Sequence, residues 1–388
     1  MFAERKGVLH HGLRVPHAQA SSARRRLRCG YWTSSASSRT RAELFSGVQS
    51  QCSLAAPAPP FSGTVWVDED IITPSDPSSF IKITPIPSDS RIMFDRRANN
   101  GSGGWITLNP TIFSAYYLDG NAIEIQVNPE FNLNEATAKA NFYGRTIGQL
   151  PTLLRVDVKT VWIHKGDEAF GGGNENLLIY TDAAGYHGDV LEETLFHEAC
   201  HTSLDSRVYG DSWSDAQTLD NQFISNYARD YPEREDVAES CALYYAVKFR
   251  PDRISKSVAN LVRETIPNRM VVFDSLGMNP VSKTDRPPSY QASARQLTLP
   301  VVKVQDKNYE VILQLTDPEN LIFTLKSALE TESANYVDTA SYSDGLLSIP
   351  LLLVNDDTFS IEFKLIELLD GTVGFKYANH ATKNLSTD

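Results

Sequence analysis

The stretch from Asp189 to Asp205, DVLEETLFHEACHTSLD, limits what this chain can fold into more than any other. It holds His197, Glu198 and His201 in an H-E-x-x-H pattern, and Leu191, Leu195, Phe196 and Ala199 recur at helical spacing. At 3.6 residues per turn His197 and His201 stand one above the other, where two imidazole nitrogens can hold one zinc ion. Glu198 lies one step round, in position to take a proton from an activated water and pass it to a leaving amine. Asp189 is the expected N-cap, Gly185 and Gly188 supply a turn before it, and Glu192 and Glu193 suit the positive end of the helix dipole. The competing reading is two histidines on a half-exposed helix.

A tetrahedral zinc site needs a third protein ligand. The spacing after Asp205 does not continue into a longer histidine motif, so the ligand must come from elsewhere. A second helix is expected from near Pro232, PEREDVAESCALYYAVKF, with Val237, Ala238, Cys241, Ala242 and Tyr245 on its apolar side. Glu235 in its first turn and Glu239 one turn on are the candidates. One can face the metal while the other accepts the free N–H of a ligand histidine.

An H-E-x-x-H helix followed by a tyrosine and an E-x-x-A-E helix resembles the glutamate-ligand zincins, in particular the group that includes the catalytic domain of anthrax lethal factor. The resemblance spans roughly residues 134–249. It implies that Glu235 is the third zinc ligand, that Glu239 is the second glutamate of the pattern, and that a tyrosine before the ligand assists the transition state. Tyr227 fits that place with one residue more than the pattern expects, and Tyr231 competes for it. In that family the last strand before the active helix borders the cleft, which makes Leu177, Leu178, Ile179, Tyr180 and Thr181 the expected substrate-binding strand.

The charge is unevenly spread. Residues 1–52 carry nine Lys and Arg against Glu4 and Glu43; the remainder has 27 basic and 46 acidic residues, which argues against nucleic acid as a partner. Residues 1–60 read as a disordered or targeting segment: basic, Ser-rich and acid-poor like an organelle transit peptide, with a disordered tail, misread upstream sequence or a secreted product as alternatives. No apolar run is long enough to span a membrane, and a soluble protein is expected. Of four cysteines, Cys200 and Cys241 fall on the two metal helices; two buried free thiols are expected, with a disulfide as the alternative.

Along the chain, TVWVDEDIIT (64–73) alternates like a strand. Asp68, Glu69, Asp70 and Asp76 lack the spacing of a calcium loop, and RRANNGSGGWITL (96–108) reads as a surface loop. Strands are expected at Ala122–Pro129, Val156–His164 and from Asn176, and helices from Asn134 to Leu150, from Ser214 to Arg229 and at Ile254–Ile266. Gly171 to Gly173 is expected at the cleft rim, and His164 and His187 are read as surface or structural residues. Beyond a Pro- and Ser-rich linker at 284–298, short strands at 300–304, 309–315, 321–325, 346–353, 359–365 and 372–377 suggest a β-sandwich.

The expectation is therefore an α+β chain: a zincin-like domain with a mixed sheet over 61–283, then an accessory sandwich-like domain over 299–380. The implied function is a zinc-dependent metalloendopeptidase acting on peptides or proteins, with zinc on His197, His201 and Glu235, Glu198 as base and Tyr227 as oxyanion donor. The alternatives are a binding protein on the same scaffold with structural or no metal, and a zinc hydrolase of non-peptide amides.

Overall fold

The computed structural model describes residues 57–65, 67, 70–183, 190–355, 357–378 and 382–383. The anticipated Asp189 cap, the Gly185 and Gly188 turn, His187, Asp68, Glu69 and nearly all of the N-terminal segment lie outside them.

The first part is built on a mixed sheet. Its strands are β1 (Phe80–Ile86), β4 (Thr111–Tyr117), β5 (Ala122–Val127), β6 (Thr160–His164), β7 (Gly171–Gly173) and β8 (Asn176–Tyr180), in the order β1-β4-β5-β6-β8-β7. Pairings β1/β4, β4/β5 and β7/β8 are antiparallel, while β5/β6 and β6/β8 are parallel. The parallel step from β5 to β6 needs a crossover, supplied by α2 (Leu133–Ile147) and the one-turn α3 (Thr152–Arg155). The α2 stripe is as expected: Ala136, Ala140, Tyr143 and Ile147 are fully buried. Its cap is Asn132, not Asn134, because Asn132 and Glu135 satisfy each other's backbone N–H groups.

Two segments differ from expectation. The stretch read as a surface loop holds β3 (Gly104–Leu108), which pairs with β2 (Arg91–Asp95) as a separate hairpin. The hairpin is turned by α1 (Ala98–Gly101), where Asn99 and Asn100 take positive φ. The stretch from Thr64 to Thr73 is not a strand: its described residues form turns and bends laid across the helices. The Ile72 N–H donates to a buried glutamate, Glu193, instead of to a neighbouring strand.

The helices that follow the sheet are α4 (Leu191–Val208), α5 (Asp211–Asp220), α6 (Asn226–Asp230), α7 (Asp236–Phe249), α8 (Lys256–Thr265) and α9 (Pro267–Asp274). The single helix expected from Ser214 to Arg229 is split. Asn221 ends α5 in the left-handed conformation, and Ser225 restarts the chain by accepting from Ala228 N–H at 2.9 Å.

The C-terminal part is a barrel, not a sandwich. Its strands are β9 (Ser289–Gln291), β10 (Gln296–Val304), β11 (Lys307–Asp317), β12 (Ile322–Thr331), β13 (Ala340–Ser343), β14 (Leu346–Val354), β15 (Asp357–Glu367), β16 (Val373–Tyr377) and β17 (Thr382–Lys383). Hydrogen bonding runs β9-β10-β11-β12-β16-β15-β14 and back to β9, so seven strands close one ring; β13 and β17 attach to it. Closure needs bent strands, and the register shifts at Leu299/Val302 and Ile349/Leu352 fall where Pro300 and Pro350 interrupt the ladders. β9 lies inside the expected linker. Leu297, Leu299, Val302, Leu313, Ile349 and Phe363 fill the interior.

Candidate metal centre

The helix α4 is buried on most of its surface, because α7 packs on one side and the sheet edge on another. The contact with the edge is unusually close. A Cβ placed on Gly172 would stand 1.9 Å from the carbonyl oxygen of Glu198, so the middle residue of the Gly171–Gly173 strand can only be glycine. Gly173 N–H donates to Thr202 Oγ1 at 2.8 Å, and Thr202 in turn donates to the Asn176 or Glu198 carbonyl, which fastens β7 to α4.

On this helix His197 and His201 present their rings with centroids 4.9 Å apart. Glu235 meets them from the second helix, but as the N-cap residue of α7 and not within its first turn. Its Oε2 is 3.1 Å from His201 Nε2 and 3.6 Å from His197 Nε2. One donor atom from each of the three side chains falls within a 4.8 Å span. Donors bound about 2.0–2.1 Å from a tetrahedral centre stand roughly 3.3 Å apart, so the set fits a zinc ion with little movement. The chemistry of the donors, two imidazoles and a carboxylate, fits as well.

The surroundings hold each donor. His201 Nδ1 is 2.9 Å from Asp205 Oδ2, one turn along α4. His197 Nδ1 faces Glu239 Oε1 at 3.7 Å, and Glu239 is held by Ser225 and the backbone of Thr64. Burial pushes the Glu239 carboxyl up from its ordinary range, against the pull of His197. Burial also opposes charge on His201, yet its bonds to Asp205 and Glu235 outweigh this and push it up to about 10. Glu235 resists burial in the same way: His197, His201 and Tyr227 hold it well below the usual carboxylate range.

These groups line a cavity of about 800 Å³ together with Glu198, Tyr227, Arg96, Arg234, Gly171 and Gly172. Tyr227 donates to Glu235 Oε1 at 2.9 Å, and Arg234 Nε donates to the same oxygen at 2.8 Å. Tyr231 packs edge-on against the Tyr227 ring at 5.3 Å and does not line the cavity. The N-terminal arm sets Tyr227 in place: Asn226 N–H donates to Phe61 O and Tyr227 N–H to Ser62 O.

The strand expected to border the cleft is not the sheet edge. Leu177, Leu178, Ile179, Tyr180 and Thr181 are buried and do not border the metal cavity, because β8 has β6 on one side and β7 on the other. β7 is the last strand in the order, so Gly171–Gly173 is the sheet edge at the cleft. Of the two readings of His164, surface or structural, the structural one holds. The residue is fully buried, stacked on Tyr180 at 5.3 Å and 2.8 Å from Asn128 Nδ2.

Cys200 and Cys241 are joined in a disulfide, their Cα atoms 6.7 Å apart, and are not two free thiols. Sequence reading passed over Asp205, Arg96 and Arg234. Only Asp205 left a signal, its i+4 spacing from His201.

Compared with known proteins, the chain matches no family model, no curated protein and no solved structure.

Proposed function

We propose that the chain is a zinc-dependent metalloendopeptidase whose first part is a zincin-like catalytic domain. The observation that supports this most is the meeting of His197, His201 and Glu235 donor atoms within 4.8 Å at the wall of a cavity that Glu198 and Tyr227 also line. His197, His201 and Glu235 would hold the metal, which supplies Lewis-acid activation of a water and of the scissile carbonyl. Glu198 then takes the proton released by the attacking water and delivers it to the departing amine. Tyr227, whose hydroxyl donates to Glu235 Oε1 and not to the oxygen that faces the histidines, would turn to donate to the oxyanion as it develops. Asp205 and Glu239 fix the ring orientations of His201 and His197. An extended peptide lies along the outer side of β7, where backbone hydrogen bonding can align it without regard to sequence.

Elemental analysis of purified full-length chain tests the reading, alongside Glu235→Ala and Glu198→Gln and with casein cleavage assayed in parallel. One zinc per chain is expected, lost in Glu235→Ala; Glu198→Gln keeps the zinc and loses the cleavage. Well-folded wild type that takes up no zinc when metal is supplied overturns the proposal and leaves a binding role for the scaffold.

A further inference from the structure

A second cavity, of about 270 Å³, adjoins the first and shares Arg96, Gly171 and Gly172 with it. Its walls are aromatic. Phe94 and Trp105 from the β2–β3 hairpin meet edge-on at 5.5 Å, and Trp105 meets Trp162 of β6 in the same way at 5.5 Å. Leu178 lines it beneath Gly171.

The alternation of strands decides which side of the sheet edge this cavity serves. The Cβ position of Gly172 points at the α4 backbone, so those of Gly171 and Gly173 point to the opposite face. The register pairs Gly171 with Leu178 and Leu178 with Trp162, which puts all three on that opposite face with the aromatic walls. A peptide strand added outside β7 would send alternate side chains to the metal helix and to this cavity.

Resting on the peptidase reading, we propose that the cavity is a substrate subsite. It takes one large aromatic side chain of the extended peptide, at a register position alternating with those that face the metal. Three ring walls favour an aromatic occupant through edge-to-face packing. A cationic occupant would meet the Arg96 guanidinium, whose Nε and Nη2 donate to the carbonyls of Ala169 and Phe170, and the Asn176 amide is engaged with Thr160.

The test uses the full-length Glu198→Gln chain supplied with zinc, so that binding is read without hydrolysis. Fluorescein-labelled ten-residue peptides of one sequence, carrying Tyr, Phe, Leu or Ala at each position in turn, are titrated by fluorescence anisotropy. An aromatic residue at one position should tighten binding about tenfold over alanine. Adding Trp105→Ala should erase that preference while leaving the zinc content and the circular dichroism unchanged; Trp105→Phe should keep most of it. Absence of an aromatic preference at every position, or a preference that survives Trp105→Ala, overturns the proposal. Incubating the same peptides with wild type separates the two claims. Aromatic, Trp105-dependent binding without cleavage sinks the peptidase reading alone, and cleavage without aromatic preference sinks the subsite alone.

Discussion

The α/β part and the barrel treat charge in opposite ways. In the first, Glu192, Glu193, Glu235, Asp236, Glu239 and Arg269 are all buried, whereas among the described residues of the barrel strands Thr358 is the one buried polar side chain. Burying charge is costly and is tolerated where partners are fixed in place, which is also what a reactive site needs. A barrel held by Leu299, Ile349 and Phe363 has no such demand on it. On the proposed reading chemistry would belong to the first part, with the barrel in a supporting or binding role.

The strongest way to break this contrast is to remove a buried cation. Arg269 is fully buried, 2.8 Å from Asp236 and 3.3 Å from Asp220. Arg269→Ala should cost about 3–5 kcal/mol in denaturant unfolding, since it strands two carboxylates beside α7. It should also lower zinc retention through the displaced start of that helix. Phe363→Ala should cost a similar amount, about 3–5 kcal/mol, but leave zinc per folded chain unchanged. Equal loss of zinc in both would erase the distinction.

A gentler probe is Asp205→Asn, which weakens the hold on His201 Nδ1. Zinc affinity measured by chelator competition should fall roughly 10- to 100-fold with little change in unfolding midpoint. Glu193 sharpens the comparison through pH. Burial pushes its carboxyl from 4.5 up to about 8, so the folded chain keeps a proton that the unfolded chain has released. Stability contributed by this group therefore falls as pH rises from about 4.5 to about 8, and is level above that. Glu193→Gln, which can still accept from Ile72, should gain on wild type across that window by up to about 1.4 kcal/mol per pH unit, read from urea midpoints. The smallest effect belongs to the barrel: Lys307, paired with Glu330 at the surface, should tolerate Lys307→Ala with no measurable change in melting temperature or zinc content.

The sequence disclosed what is local. His197, Glu198 and His201 lie on one helical turn, and α4 and α7 carry enough apolar spacing to be found within a few residues of their ends. The strand β5 was equally plain, since Ile123, Ile125 and Val127 alternate without interruption. What stayed hidden depends on distant partners. Three glycines carry no pattern, so β7 could not be told from a rim loop; its position follows from pairing with β8 and pressing on Glu198. β1 and β4 are hidden because Pro85 falls within the first and Pro87 and Pro110 stand beside them like turn signals. Ring closure of the barrel rests on β9 meeting β14 at Leu353 and Ser289, a contact between residues far apart in the chain. The Cys200–Cys241 bond likewise depends on how the two helices cross.

The hydrogen bonds from α6 back to Phe61 and Ser62 set a limit on how this chain can be trimmed. A cut upstream of Phe61 leaves both carbonyls in place and the tyrosine at the cavity wall anchored. A cut just beyond Ser62 frees the start of α6 and removes the strap beneath Tyr227. The boundary therefore falls within two residues: a chain starting at Phe61 keeps the hold on Tyr227, and one starting beyond Ser62 loses it.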